Sequence, residues 1–155
     1  AFHPKGVEPL EPNITALLNP DQVKWKDLLS PGLSVPTDWG KDKLESLQAE
    51  RQKNWQTMTK EMESAKQKGL SEKQIKKIEE RFKGVDKEIA KRLEEVRKQY
   101  SYLEDKVGVF EGAGYAAKGL YRPMIYCLMI SSPKEEFCLV CQKAIARMID
   151  YYSTN

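Results

Sequence analysis

Apolar residues fall into different patterns along the chain. In the first half of the middle region they recur at Leu44, Leu47, Trp55, Met58, Met62 and Ala65. Every step is three or four once Arg51 is counted as a polar interruption. After a break the pattern resumes at Ile75, Ile78, Phe82, Val85, Ile89, Leu93, Val96, Tyr100, Leu103 and Val107. Lys, Arg and Glu fill the other positions. A narrow seam of this kind belongs to paired, coiled-coil-like helices. The break is Lys68-Gly69-Leu70-Ser71. Gly69 accepts the left-handed conformation that ends a helix. Ser71 and Gln74 form an S-x-x-Q capping box that starts the next one. The pattern predicts an antiparallel helical hairpin over residues 41–106, each arm roughly 40 Å long or slightly more. Gly84 lies inside the second arm and is expected to weaken or bend it, at about 1 kcal/mol relative to Ala.

The two ends read differently. Residues 1–40 carry Pro4, Gly6, Pro9, Pro12, Pro20, Pro31, Gly32 and Pro36. Proline fixes φ and removes a donor, so long regular elements are excluded there. The expectation is an irregular arm anchored by Ile14, Leu17, Leu18, Val23, Trp25, Leu28 and Leu29, with one short helix near Asp21–Leu29. Residues 107–155 open with Gly108, Gly112, Gly114 and Gly119, then an apolar run from Tyr121 to Ile130 interrupted by Pro123. Ser132 at an N-cap, Pro133 behind it and Glu135 and Glu136 in the first turn predict a terminal helix. It is expected to reach Tyr152 and to bury Phe137, Cys141, Ala144, Ile145, Met148 and Ile149.

Charge removes some function classes. Lys and Arg number 26 against 23 Asp and Glu, a net charge of +3. A nucleic-acid partner calls for a larger, clustered excess. No stretch approaches the roughly 20 apolar residues of a membrane span. The chain starts at Ala1 rather than Met, as expected of a processed or excised chain.

Candidate chemistry is sparse. The one histidine, His3, lies in the Pro-rich arm and reads as a surface residue. A zinc peptidase needs two or three neutral ligands and a general base, commonly as H-E-x-x-H on a helix, and that motif is absent. A Ser-His-Asp or Cys-His device would have to use His3. The glycine segment Gly108–Gly119 lacks the lysine arrangement of a phosphate loop and reads as a tight, close-packed turn. Cys138-Leu-Val-Cys141 is a C-x-x-C near a helix start, with Cys127 upstream. Four readings stay open: a disulfide from Cys127 to Cys138 or Cys141, favoured if the protein is secreted; a zinc site completed by a ligand from outside the chain; a redox pair; and buried thiols. Asn13-Ile-Thr15 is a glycosylation sequon, meaningful only in a eukaryotic host. Basic patches on the hairpin read as solvated helix faces.

Several segments resemble a known family. Phe110-Glu-Gly-Ala-Gly-Tyr115, Lys118-Gly-Leu-Tyr-Arg-Pro123, Cys127-Leu-Met129 and Phe137-Cys-Leu-Val-Cys-Gln-Lys-Ala-Ile145 resemble the C-terminal end of the IgA-peptidase family. Gly6-Val-Glu-Pro9, followed by Glu11-Pro-Asn-Ile-Thr15, resembles the segment after that family's catalytic helix. These are metzincin-like zinc peptidases, many from gut bacteria. The hairpin looks like an insertion and adds little to the match.

The resemblance implies the C-terminal portion of a secreted, cell-surface or periplasmic bacterial zinc endopeptidase. The zinc ligands and general base would lie upstream, in the catalytic segment of the same precursor. This chain alone is expected to be inactive, and the substrate would be a peptide or protein. Cys127-Leu-Met129 and the helix after it resemble the Met-turn arrangement, with Met129 as an apolar floor beneath the zinc ligands. The alternative is Met129 as ordinary core, like Met124 and Met148. Tyr121 and Arg122 would face the cleft by analogy, or Arg122 would only tie loops together. Glu111 and Tyr115 are weaker candidates of the same kind. The expected fold is mainly α. A second function remains in play, a helical-hairpin interaction module centred on Trp55, Met58 and Met62.

Overall fold

The computed structural model describes residues 6–130 and 135–154. The fold is mainly helical. Three helices, α1 (Lys41–Gln67), α2 (Glu72–Tyr100) and α3 (Leu139–Thr154), accompany a two-stranded sheet of β1 (Phe110–Ala113) and β2 (Ala116–Arg122). The chain divides into two compact units. Gly40–Ser101 forms one, and the two ends of the chain together form the other.

The hairpin unit follows its sequence signals as far as Tyr100; α2 ends there, and Leu103 and Val107, expected as the last seam positions, belong to the other unit. The 27 residues of α1 and 29 of α2 span about 40 and 44 Å. Gly69 takes φ +65° past the end of α1. The amides of Gly69 and Leu70 then reach back to the carbonyls of Lys66 and Ala65, at 3.1 and 3.0 Å. This satisfies two carbonyls that the helix end would leave unpaired. Gln74 Oε1 accepts from the Ser71 amide at 3.0 Å, as the capping box requires. Gly40 starts α1 at φ +72°, and a Cβ there would lie 2.4 Å from the Tyr100 ring. Only glycine meets both demands.

The seam buries Leu47, Ile89 and Leu93, with Leu44 and Val96 packed against them. Phe82 and, next to the turn, Ala65 are buried as well, whereas Trp55 between them is 61% exposed. Ion pairs flank it in antiparallel order: Glu50 with Arg92 at 3.0 Å, Arg51 with Asp86 at 2.6 Å, and Glu61 with Arg81. Arg51, the polar interruption in the heptad pattern, therefore bridges to α2. Its hydrogen bond holds the Asp86 carboxyl below its ordinary range.

The other unit joins the Pro-rich arm to the C-terminal segment. Trp25 is buried, and its indole Nε1 donates to the Gly108 carbonyl at 2.8 Å. Val23, Val107, Val109, Cys127, Cys138, Val140 and Cys141 complete this core. Backbone pairing supports it. Thr15 exchanges two hydrogen bonds with Tyr121 on β2, at 3.1 and 2.8 Å. Thr37 N donates to the Val109 carbonyl at 2.8 Å, and Val109 N donates to Thr37 Oγ1 at 3.0 Å. The Lys24 ammonium donates to the carbonyls of Pro9, Glu11 and Ile14 and pairs with Glu8. One cation thus gathers a loop that has no ladder of its own.

Three expectations are corrected. The short helix near Asp21–Leu29 is instead two 3-10 turns, Pro20–Gln22 and Lys26–Leu28. Val23 and Trp25 both enter the core, and a spacing of two suits extended backbone rather than a helical face. The glycine segment forms a β-hairpin rather than a close-packed turn. Gly114 and Tyr115 take φ of +57° and +63° at its tip, and the register shifts between Glu111 and Ala113. Gly108 is tightly packed, with a Cβ there 2.8 Å from the Phe110 ring and Thr37 Oγ1, whereas at Gly119 a Cβ meets nothing within 4 Å. The terminal helix starts at Leu139, although Ser132 and Pro133 lie outside the described residues. Residues 135–138 are not helical because their backbone is used elsewhere: Leu128 N donates to the Glu136 carbonyl at 2.9 Å, and Cys138 N to Cys127 Sγ at 3.3 Å.

Burial along α3 also differs from expectation. Val140 and Cys141 are its buried residues, whereas Met148 and Ile149 are each 56% exposed. Phe137, just before the helix, is also exposed.

Two substitutions test the hairpin. Gly84 lies inside an unbroken α2, and a Cβ there meets nothing within 4 Å. Gly84→Ala is expected to stabilise the unit by about 1 kcal/mol. Ile89→Ala is expected to destabilise it by about 2–5 kcal/mol. Urea unfolding followed by circular dichroism measures both.

Candidate functional site

The sequence placed its candidates near two features, the C-terminal turn and the end of β2. The turn is Cys127–Ile130, closed by Ile130 N donating to the Cys127 carbonyl at 2.9 Å. Cys127 is buried beneath it. Leu128 and Met129 point outward, and Met129 is 62% exposed. Met129 thus differs from Met124, which packs against the core.

The end of β2 places Tyr121 and Arg122. Tyr121 packs against the core and takes the backbone pairing with Thr15. The Arg122 guanidinium lies over the Trp39 ring at 5.1 Å and donates to the Gly112 carbonyl at 2.8 Å. Burial depresses its pKa. Its Nε, like Trp39 Nε1, is buried without a hydrogen-bond partner among the described residues. The contact to Gly112 ties the two strands together at the point where their register shifts. Glu111 acts within the same hairpin, its Oε1 accepting from Gly119 N at 3.0 Å. Tyr115 is fully exposed at the tip.

The three cysteines converge. Cys127 comes from the turn, Cys138 from the extended segment and Cys141 from the first turn of α3. Their sulfurs lie within 4.8 Å of one another, and all three residues are buried. They are free thiols, so the disulfide favoured for a secreted chain is not formed here. The Sγ atoms of Cys127 and Cys141 are 3.6 Å apart. Asn13 also reaches this cluster, its Nδ2 donating to Cys141 Sγ at 3.3 Å. Asn13 is 8% exposed, so the sequon asparagine is a core residue and not a glycosylation acceptor in the folded chain. The sequon marked Asn13, but for different chemistry. Nothing in the sequence pairs it with a cysteine 128 positions away.

Electrostatics separates two of the thiols. Cys138 is lowered to about 6, chiefly by its hydrogen bond with Cys141, helped by the amides of Cys141 and Val140 and opposed by burial. Cys141 is raised, first by that same bond and then by burial. The pair therefore shares one proton over a broad range. His3 lies outside the described residues.

Comparison with known proteins now bears on this geometry. A model of the family described as IgA Peptidase M64 matches residues 1–149. The chain belongs to that family, and with it to the metallopeptidases. No curated protein matches the sequence.

The thiol pair has a pH signature. A thiol that titrates near 6 when folded and at roughly 8.5 when unfolded stabilises the fold above the unfolded value. That stability is lost as pH falls through 6. Cys141, raised on folding, contributes below its unfolded pKa, and its share is lost as pH climbs past that value. Metal-free protein is therefore expected to gain stability from pH 6 to about 8.5 and to lose it beyond. Urea midpoints across that range measure the effect, and Cys138→Ser is expected to flatten the rise.

Proposed function

We propose that this chain is the C-terminal portion of a secreted bacterial zinc endopeptidase, and that it supplies the Met-turn and one wall of the cleft. The family match over residues 1–149 carries the reading. The turn at Cys127–Ile130 supports it, because a tight backbone turn there presents an exposed methionine thioether. A soft, apolar side chain of this kind suits a floor beneath metal-bound histidines without ligating the metal.

The chain's own residues do not fit a catalytic zinc. It has one histidine, and a catalytic site keeps an open coordination position that substrate can reach. Among the described residues the one cluster with metal-ligand spacing is the cysteine trio, and it is buried in the core. We therefore assign the zinc ligands and general base to the upstream catalytic segment of the same precursor. In this reading Cys127 anchors the turn from below while Met129 faces that segment. Arg122 is a positioning residue that holds the β-hairpin as a wall, and Tyr121 flanks it. Leu128, Phe137, Met148 and Ile149 are exposed apolar side chains that suit contact with the rest of a peptidase domain. No helix among the described residues is long and apolar enough to cross a membrane.

The coding sequence upstream of Ala1 tests this directly. An H-E-x-x-H helix within the same reading frame is expected, and an unrelated domain there would sink the proposal. In the longer protein, chelator-sensitive cleavage of peptides is expected. Met129→Ser should lower it about 10–100-fold, the range for groups that orient metal ligands. Met129→Leu, which keeps volume and apolarity, should stay close to the parent rate. Equal rates for Met129→Ser and the parent would remove the Met-turn role.

A further inference from the structure

The cysteine trio is built more like a metal site than a disulfide in waiting. Three buried sulfurs lie within 4.8 Å of one another. A tetrahedral zinc site with Zn–S bonds of about 2.3 Å sets its sulfurs about 3.8 Å apart. The Cys127–Cys141 separation of 3.6 Å already matches that edge. Nitrogen donors face the sulfurs: Cys138 N on Cys127 Sγ, and Asn13 Nδ2 on Cys141 Sγ, each at 3.3 Å. Donors of this type stabilise sulfur that carries negative charge. A disulfide is neutral, would use two of the three sulfurs and would gain little from them.

We propose that Cys127, Cys138 and Cys141 bind one zinc ion as three thiolates, in a structural site separate from the catalytic zinc of the peptidase. Binding exchanges three thiol protons for one divalent cation and leaves a single net negative charge. The surrounding N–H groups offset that charge, and a neutral donor such as water fills the fourth position. Zinc suits the site because thiolates are soft ligands and a buried structural ion needs no redox chemistry. Asn13 acts on the metal through Cys141 and is a positioning residue. The ion would clamp the three segments that meet there: the Pro-rich arm, the turn that carries Met129, and the start of α3.

Cobalt is the probe, because thiolate–cobalt charge transfer does not arise at a histidine site. The 155-residue chain, reduced and freed of metal, is titrated with cobalt and then with zinc. One equivalent of cobalt should give a near-ultraviolet thiolate charge-transfer band with tetrahedral visible bands, and zinc should abolish both. Zinc uptake should release protons. Cys127→Ser and Cys141→Ser should lose the charge-transfer band. Asn13→Ala should keep it, with affinity weakened about 10–100-fold. Should the serine variants fail to fold by circular dichroism, the wild-type titration and Asn13→Ala decide. Folded wild-type chain with three reactive thiols and no cobalt band would overturn the proposal. So would an isolated protein whose mass is lower by two hydrogens and which ignores added metal.

Discussion

The indole of Trp25 donates to the Gly108 carbonyl across 83 residues of chain, and much else depends on that bond and the burial around it. The Pro-rich arm has no long element to stabilise it. It is ordered by what it packs against: the strand ends, the Val107–Val109 segment and the sulfur cluster. Closing so long a loop costs conformational entropy, but the cost grows only slowly with length. A buried tryptophan, several backbone bridges and the Lys24 cage together offset it. The hairpin between the two ends is a compact unit of its own, and loop-closure cost rises only slowly with the length it adds.

The same core sets the chemistry. Cys127, Cys138 and Cys141 come from three kinds of backbone, yet their sulfurs meet because each segment is held separately. The turn is closed by Ile130 on Cys127, the extended segment by Leu128 on Glu136, and α3 by its own first turn, where Gln142 N donates to the Cys138 carbonyl. Asn13 brings the arm to the same place. Burial there has two consequences. It makes the cluster unsuitable as a catalytic centre, which needs an open position. It also makes the N–H donors decisive, since thiolate charge in such a setting is held only by directed dipoles.

Outside that core the molecule presents apolar side chains to solvent. Met129 on the turn and Met148 and Ile149 on α3 share one trait: the chain orders them without covering them. The proposed role in a peptidase domain supplies a physical context, because a cleft floor and wall would be covered by other parts of that domain.

The sequence by itself determined the two helices of the hairpin and the turn between them, though not where the second helix ends. Its signals are local: a heptad seam, Gly69 to end one helix, Ser71 and Gln74 to begin the next. Each acts within a few residues of itself, so no tertiary knowledge is needed. It also determined the family, through short motifs at the two ends. Tertiary structure decided the rest. Periodicity says which residues of α3 share a face but not whether anything covers that face, so it predicts burial for Met148 and Ile149 where the fold leaves them exposed. The short strands β1 and β2 show no regular apolar alternation, and the turn between them is at Gly114 and Tyr115. Residues 135–138 stay out of the terminal helix because the Glu136 carbonyl and the Cys138 amide bond to the turn. The link from Asn13 to Cys141 was invisible for a different reason. A contact across 128 residues has no local signature, and only the folded chain brings its two ends together.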